Sequence, residues 1–251
     1  MLLTSRSLVR SQPRQLAILP RTNPFRVTLE PLLDRRGFIV CKIMYTVYDD
    51  ILPKEMVDQI CDYVTSPSFE WYCGTCGRTL DDKFSSKYPN FQNSVQLTHA
   101  FLSRSQKWYN GGINGYYGRN YDLAVTEREM INRLLKEFYK HIGELPINKV
   151  IHRIKANLLV QSVDDTPNPP HIDIIDGKHK VFLMYMNDSD GDTLFYKDET
   201  GEEIINRISP KRGRIVFFDG HHYHSSTPPV KSSKRMVINI DIMNEEDVIY
   251  E

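Results

Sequence analysis

The sequence has 251 residues, of which 40% are hydrophobic and 25% are charged, as in an ordinary globular protein. Its net charge of zero argues against a general polyanion binder, and no run of about 18 apolar residues is present to span a membrane. This length suits a single domain with a sizeable core, since barrels and sandwiches of this size commonly form one unit.

Positive charge is concentrated at the start of the chain. Residues 1–43 carry eight Lys and Arg residues against two acidic ones, Glu30 and Asp34. Together with several serines, that composition is typical of an organelle transit peptide. We favour the simpler interpretation that Met44 begins a single folded domain over 44–251 and that the residues before it are a disordered leader or an over-extended start. A cytoplasmic location is then expected, with organelle targeting as the alternative.

All four cysteines lie in the first third of the sequence: Cys41, Cys61, Cys73 and Cys76. Cys73 and Cys76 have the spacing of a zinc or redox pair, but no second pair follows to complete a four-ligand site. So few cysteines, without a secretory signal, suit a reducing compartment. We therefore favour no metal or redox role for this pair.

Two helices are predicted from apolar spacing. The first covers 53–65, with Pro53 at its first position and Pro67 beyond its end. The second follows the capping box Thr126–Glu129 and continues as one apolar stripe up to Gly143. We expect this second helix to cover the outer face of a sheet.

The remaining chain is predicted to be mainly β. Residues 66–123 are rich in aromatic residues, Gly, Ser and Asn, which indicates irregular structure with a strand near Val95–Phe101. After Lys149, short strands alternate with turn residues, and eight of them at this spacing predict an antiparallel jelly roll or barrel flanked by N-terminal helices. These strands cover about 150–162, 171–175, 180–187, 193–197, 203–207, 213–218, 224–228 and 235–243.

A His-x-Asp pair opens this β region. Residues two apart on a strand point to the same side, so His171 and Asp173 can present an imidazole and a carboxylate to one metal ion. The candidates for a third ligand follow about fifty positions later: His221, His222 and His224. We choose His224, because the Ser-Ser-Thr-Pro-Pro sequence after it predicts a return of the chain that brings Arg235 alongside. Two imidazoles and one carboxylate on one triangular face form the ligand set of non-haem Fe(II) sites, and they leave the other positions open.

The last predicted strand has an apolar and a mixed face. The apolar face consists of Met236, Ile238, Ile240 and Ile242, and the opposite face of Arg235, Val237, Asn239 and Asp241. A buried guanidinium needs an anionic partner, because leaving it unpaired costs about 3–5 kcal/mol. For Arg235, Asp241 is one candidate partner and a bound dicarboxylate is the other.

Over about 150–243 these motifs resemble the 2-oxoglutarate- and Fe(II)-dependent dioxygenases, specifically their prolyl-4-hydroxylase-like branch. The motifs that carry the resemblance are His171-Ile-Asp173, Val181-Phe-Leu-Met-Tyr-Met-Asn187, Gly191-Asp-Thr-Leu-Phe195, Gly213-Arg-Ile-Val-Phe-Phe218, His224 and Arg235. Two features depart from the family pattern: the glycine pair is reduced to Asp190-Gly191, and the loop over 163–170 is long and proline-rich. Both flank the expected substrate entrance, so the resemblance does not identify the substrate.

The resemblance implies a double-stranded β-helix that binds Fe(II) and uses 2-oxoglutarate and O2 as co-substrates, with ascorbate as a candidate reductant. The implied metal ligands are His171, Asp173 and His224. The resemblance also implies that Arg235 binds the distal carboxylate of 2-oxoglutarate and that Tyr185 donates its hydroxyl to the same group. Asn157 falls where some relatives place a co-substrate contact.

The expected activity is hydroxylation of an aliphatic C–H bond, with peptidyl proline or another amino-acid residue as the leading substrate class. A carboxylate at Asp173 favours hydroxylation over halogenation, because a small residue there would free a position for halide. Three alternatives stay open: a free amino acid or small metabolite as substrate, an alkylated nucleobase, or a non-catalytic jelly-roll binding or sensing module. The absence of a basic stripe with interleaved aromatic residues disfavours nucleic acid, and the sequence does not predict an oligomeric state.

Overall fold

The computed structural model describes residues 25–33, 39–75, 95–103, 125–143, 149–174 and 177–244. The strands in this part are β1 (Phe25–Leu33), β2 (Ile39–Tyr48), β3 (Tyr72–Thr75), β4 (Val95–Ser103), β5 (Lys149–Val160), β6 (His179–Tyr185), β7 (Thr193–Tyr196), β8 (Ile204–Ile208), β9 (Ile215–Asp219), β10 (His224–Ser226) and β11 (Lys234–Asn244). The helices in this part are α1 (Lys54–Thr65) and α2 (Val125–Ile142).

The strands form two sheets, and every described strand pair is antiparallel. The larger sheet has eight strands in the order β1-β2-β9-β6-β11-β5-β4-β3, and the smaller has three in the order β10-β7-β8. The predicted jelly-roll architecture with flanking helices is therefore confirmed. Neither described helix contains a stretch that is long and apolar enough to cross a membrane.

The larger sheet is buried on both faces, as β11 shows most clearly. Its alternate residues Met236, Ile238, Ile240 and Ile242 join the core beneath α1 and α2. In that core, the ring of Phe138 on α2 meets Phe182 at 5.0 Å and Phe217 at 5.2 Å, so α2 covers the outer face as predicted. Truncation of such a buried ring to Ala typically costs about 3–5 kcal/mol, which makes this contact a main stabilising element.

The other face of the larger sheet, the inner face, looks toward the smaller sheet. Phe195 of β7 stacks on Tyr45 of β2 at 4.6 Å and meets the edge of Phe218 on β9 at 5.0 Å. These aromatic contacts close one end of the roll. Polar side chains of β5 and β11 lie on the same inner face, and they position the candidate site.

Helix α1 agrees with its prediction, because Pro53 is the N-cap residue and helical structure begins one residue later. It buries Val57, Ile60, Cys61 and Val64. The carbonyl of Tyr63 accepts the amide hydrogen of Ser66 at the end of the helix.

The cysteines show no shared site in the described part of the chain. Burial raises the pKa of the Cys61 thiol to about 11, while Cys73 is exposed and unpaired. Cys76 lies outside the described residues, so the expectation about the Cys73 and Cys76 pair stays a prediction.

Two sequence-based expectations differ from the structure, and the first concerns the leader. The expected disorder of residues 1–43 does not hold for 25–33 and 39–43, because β1 pairs with β2 from Phe25 opposite Tyr48 to Leu33 opposite Ile39. Apolar Phe25, Val27 and Leu29 alternate with polar residues, which is a strand pattern. Our prediction for this segment rested on its high arginine content instead. Residues 1–24 lie outside the described part.

The second difference concerns the predicted strand at 171–175. In the structure only His171 makes a β-bridge, to His224, and no strand follows it among the described residues. The two prolines before His171 have no amide hydrogen to donate, so a ladder cannot continue on that side. Residues 175–176 lie outside the described part.

Candidate metal centre

A backbone bridge holds the two predicted histidine ligands side by side. The amide of His171 donates to the carbonyl of His224 at 2.9 Å, and the amide of His224 donates back at 3.0 Å. The two imidazole centroids are 4.7 Å apart. This pairing unites a residue of the loop after β5 with the first residue of β10, about fifty positions later in the chain.

Both imidazoles keep one nitrogen for a ligand. Nδ1 of His224 lies 3.0 Å from the carbonyl oxygen of His222, and Nδ1 of His171 lies 3.2 Å from that of Pro169. A carbonyl oxygen only accepts, so each Nδ1 carries the hydrogen and each Nε2 is the nitrogen left to bind a metal ion. Burial and the nearby His224 lower the pKa of His171 to about 4, which keeps that imidazole neutral at pH 7.

The Asp173 carboxylate completes the group. One ligand atom from each of His171, Asp173 and His224 lies within 4.8 Å of the others, and Oδ2 of Asp173 is 3.5 Å from Nε2 of His224. Burial alone would raise the pKa of Asp173, but the Arg153 guanidinium and the two histidines together outweigh it and hold that pKa well below the ordinary value. The structure thus brings the three predicted ligands together.

The donor set fits Fe(II). Two neutral imidazole nitrogens and one carboxylate oxygen are the protein ligands of non-haem iron oxygenase sites, which leave adjacent positions for co-substrates. The hydrogen bonds that Nδ1 of His171 and Nδ1 of His224 donate to backbone carbonyls orient both rings, as such bonds commonly do for metal-binding histidines. The geometry therefore supports a metal ion held at these three side chains.

Sequence reasoning missed the residues behind the carboxylate. Nη2 of Arg153 donates to Oδ1 of Asp173 at 2.5 Å, and the side-chain amide of Asn239 donates to Oδ2 at 3.1 Å. Nε of Arg153 also lies 2.6 Å from Oδ2 of Asp241, a close ion pair rather than a well-aligned hydrogen bond. The sequence does show that these polar residues alternate with apolar ones on their strands. It does not show which of them contact each other, because that depends on the register of β5 against β11.

This register corrects the predicted partner of Arg235. Asp241 lies opposite Arg153 in the β5–β11 pairing and contacts it, so it is not the partner of Arg235. Arg235 and Asp241 are six positions apart on an extended strand, so their Cα atoms are about 20 Å apart. That distance is beyond the reach of the two side chains.

Arg235 is buried with only 3% of its surface exposed, yet it has no carboxylate within ion-pairing distance among the described residues. Its Nε donates to the carbonyl oxygen of Gly191 and its Nη2 to the hydroxyl of Thr193, both at 2.8 Å. Burial accordingly lowers the pKa of Arg235. The site thus holds a desolvated cation with neutral partners.

The backbone approaches Arg235 closely at Gly191. A Cβ on Gly191 would lie 2.7 Å from the carbonyl oxygen of Thr227 and 3.0 Å from Cδ of Arg235. The second glycine of the family pattern is therefore required here by packing against the arginine. Thr193, two residues later, was part of the predicted motif but had no role assigned to it.

Asp190, which replaces the first glycine of that pattern, holds the turn before β11. Its carboxylate accepts backbone amide hydrogens from Val230, Lys231 and Ser232 at 2.7 to 3.1 Å. Desolvation opposes ionisation, but these hydrogen bonds outweigh it and lower the pKa of Asp190. The departure from the family pattern thus has a structural role, because the turn leads directly into Arg235.

The two remaining predicted residues lie on the inner face. Tyr185 is fully buried, its ring lies 5.5 Å from the Arg235 guanidinium carbon, and its hydroxyl donates to Thr193 at 2.6 Å. Asn157 lies on β5 opposite Val237, and its buried Oδ1 has no hydrogen-bond partner among the described residues. Roles for both residues in co-substrate binding stay predictions.

Comparison with known proteins connects this geometry to a family. Residues 160–241 match the family model of the 2OG-Fe(II) oxygenase superfamily. This matched segment covers about a third of the chain. The predicted Fe(II), 2-oxoglutarate and O2 agree with this superfamily, and the segment contains the three candidate ligands and Arg235. No curated protein sequence matches the chain.

Solved structures resemble the chain far beyond the 2OG-Fe(II) oxygenase segment. A 2OG-Fe(II) oxygenase family oxidoreductase from Burkholderia pseudomallei is 14% identical, with 80% of this chain and 88% of that one covered and a TM-score of 0.53. The α-ketoglutarate-dependent epimerase SnoN from nogalamycin biosynthesis is 12% identical, with coverage of 80% and 78% and a TM-score of 0.50. A Pseudomonas putida prolyl-4-hydroxylase is 10% identical, with coverage of 80% and 92% and a TM-score of 0.46. At these identities, the first two likenesses establish the fold alone.

Proposed function

We propose that this protein is an Fe(II)- and 2-oxoglutarate-dependent dioxygenase that hydroxylates an aliphatic C–H bond. The observation that carries the proposal is the presence of a three-ligand cluster together with a buried inner-face arginine that has no carboxylate partner in the described chain. The cluster has the ligands to bind a divalent metal ion, and the buried arginine can bind an anion. 2-Oxoglutarate satisfies both, because it carries a metal-chelating keto acid at one end and a carboxylate at the other.

In this proposal His171, Asp173 and His224 hold Fe(II). When bound, the metal would supply O2 activation coupled to oxidative decarboxylation of 2-oxoglutarate, with succinate and CO2 as co-products. The hydrogen bonds that the two rings donate to the Pro169 and His222 carbonyls keep each Nε2 directed at the ion.

Arg235 would bind the distal carboxylate of 2-oxoglutarate. Two of its guanidinium nitrogens are engaged by Gly191 and Thr193, so the side chain is already oriented before the ligand arrives. The ring of Tyr185 supports the guanidinium, and the Tyr185 hydroxyl is positioned beside Thr193 to join the same contact. This preorganisation reduces the entropic cost of binding.

For the substrate, we propose peptidyl proline or another amino-acid residue. The support is the resemblance of the motifs over 181–187 and 191–195 to the prolyl-4-hydroxylase-like branch. A free amino acid or small metabolite is the alternative substrate. Because the similar structures include the epimerase SnoN, the test below also measures which product forms.

The test has two stages. Anaerobic addition of Fe(II) and then 2-oxoglutarate to the purified protein should produce a weak visible charge-transfer band with one equivalent of each. Succinate formation is then screened across proline-containing peptides, other peptides and free amino acids, and the product of any active substrate is examined by mass spectrometry for a gain of one oxygen.

Each outcome decides a different part of the proposal. A charge-transfer band without substrate-dependent succinate would leave the cofactor assignment standing and exclude the tested substrates. An active substrate whose product gains no oxygen would replace hydroxylation with another oxidation. Absence of both the band and metal binding would refute the proposed activity and favour a non-catalytic binding module.

A further inference from the structure

We infer that Arg153 and Asp241 act together as positioning residues for the Asp173 carboxylate, setting which of its oxygens faces the metal and how much negative charge it presents. The inference rests on the proposed function, because it assumes a divalent ion at His171, Asp173 and His224. Neither positioning residue touches that ion in this assignment.

The geometry assigns a different role to each oxygen of Asp173. Arg153 occupies Oδ1 through Nη2 at 2.5 Å, whereas Oδ2 lies 3.5 Å from Nε2 of His224. Asn239 donates to Oδ2 from the side at 3.1 Å and fixes the plane of the carboxylate. A metal ion at this cluster would therefore meet one oxygen of Asp173 rather than two, which preserves the open positions that two co-substrates require.

Asp241 determines what the Arg153 charge does. Arg153, Asp173 and Asp241 are 7%, 7% and 0% exposed, so water screens their interactions little. Burial and the nearby Asp173 raise the pKa of Asp241 to about 7, so the charges are counted above that pH, where the titration below is carried out. There, two carboxylates and one guanidinium carry a net charge of minus one, equal to a single free carboxylate. Without Asp241, Arg153 would cancel the charge of Asp173, and a divalent ion would meet a ligand set with no net charge.

A purely structural role would look different in one respect. An arginine that only braces β5, β11 and the ligand loop would affect the free energy of unfolding and leave metal affinity unchanged. A positioning role predicts a change in metal affinity and in the coordination of the ion, in protein that remains folded. Those two readouts separate the alternatives.

The experiment is an anaerobic titration with Co(II) alone, without 2-oxoglutarate, on the wild type and three variants. Asp241→Asn removes the compensating charge, and Arg153→Lys keeps the positive charge but loses the planar fork. The matched control is Asp49→Asn, since Asp49 binds Arg214 through two contacts of 2.7 and 2.9 Å in a partly buried pair that joins the end of β2 to the loop before β9. Thermal unfolding without metal monitors the fold of each protein.

We expect Asp241→Asn to weaken Co(II) binding by about 10- to 100-fold, the range typical of lost partners behind metal ligands. Arg153→Lys should release Oδ1 of Asp173, so the visible absorption of bound Co(II) should change as its coordination changes. Asp49→Asn should lower the unfolding temperature and leave Co(II) affinity within about twofold of the wild type.

A folded Asp241→Asn protein with wild-type Co(II) affinity would overturn the inference. If that variant fails to fold, Arg153→Lys decides alone, and a wild-type affinity together with a wild-type Co(II) spectrum would overturn it. Failure of the wild type itself to bind Co(II) would instead count against the proposed function, so the two failures are distinguishable.

Discussion

Two buried arginines on neighbouring strands of the inner face have opposite surroundings. Arg153 on β5 contacts two carboxylates, those of Asp173 and Asp241. Arg235 on β11 contacts a carbonyl oxygen and a hydroxyl, and no carboxylate in the described part of the chain lies within ion-pairing distance of it. Both are nearly inaccessible to water, at 7% and 3% exposure.

The difference shows how a buried charge indicates its purpose. Burial lowers the pKa of an arginine, and at Arg153 the two carboxylates outweigh that effect and raise it, whereas at Arg235 the pKa remains lowered. Arg153 therefore has its anionic partners within the chain itself. Arg235 is desolvated and has no carboxylate partner in the described part of the chain, and in the proposed function its anion is 2-oxoglutarate.

The largest effect is expected at the three-ligand cluster that Arg153 contacts. Asp173→Ala or His224→Ala should abolish substrate-dependent succinate release, because each removes one of only three protein ligands to the metal. His221→Ala is the matched control, since His221 was a competing candidate and is exposed, with 47% of its side-chain surface accessible. Near-normal turnover by either ligand variant would show that the ligands were misassigned.

The next effect separates the two arginines by stability. Arg153→Met should lower the free energy of unfolding by about 3–5 kcal/mol, because it leaves two buried carboxylates without their cation. Arg235→Met should change it by less than about 1 kcal/mol, or raise it, because a desolvated cation is replaced by an apolar side chain of similar length. Urea unfolding of the metal-free proteins measures both values, and equal losses would remove the distinction between them.

Ligand binding should reverse that order. Arg235→Met should weaken 2-oxoglutarate binding by about 100-fold or more, the cost of losing a buried charge pair, while Co(II) affinity stays near the wild-type value. Isothermal titration of the Co(II)-loaded protein measures 2-oxoglutarate binding in the absence of turnover. Unchanged affinity for 2-oxoglutarate would make Arg235 a structural residue.

A smaller effect is expected from crowding Arg235. Gly191→Ala introduces a Cβ only 2.7 Å from the Thr227 carbonyl oxygen and 3.0 Å from Cδ of Arg235, so the backbone or the arginine must move. We expect a loss of about 1–3 kcal/mol in unfolding free energy and about tenfold weaker 2-oxoglutarate binding. Ser189→Ala in the same loop is the comparison variant, because it removes the hydroxyl that accepts the Gly191 amide hydrogen at 3.3 Å and adds no Cβ beside Arg235.

The smallest effect is expected from Tyr185→Phe. The variant keeps the ring beside Arg235 and loses only the hydroxyl that donates to Thr193 at 2.6 Å. One hydrogen bond contributes about 1 kcal/mol, so 2-oxoglutarate binding should weaken by no more than about fivefold. A loss as large as that of Arg235→Met would show that the hydroxyl, rather than the guanidinium, dominates recognition.

Local patterns in the sequence were sufficient to predict the three candidate metal ligands and the two faces of β11. The spacing of His171 and Asp173 and the alternation from Arg235 to Asp241 follow from the geometry of extended chain, which is the same wherever the strand lies. Both helices were also predictable, because an apolar stripe is a local feature.

Pairing between distant segments was decided only by the tertiary structure. The contacts of Arg153 with Asp173 and Asp241 depend on the register of β5 against β11, and a shift of one residue would turn either side chain to the other face. The strand expected at 171–175 ended at His171 because its only partner is the short strand β10. Register and strand length are set by long-range packing of the whole roll. The candidate ligands could therefore be predicted from the sequence, whereas the contacts of Arg153, Asn239 and Asp241 behind Asp173 could not.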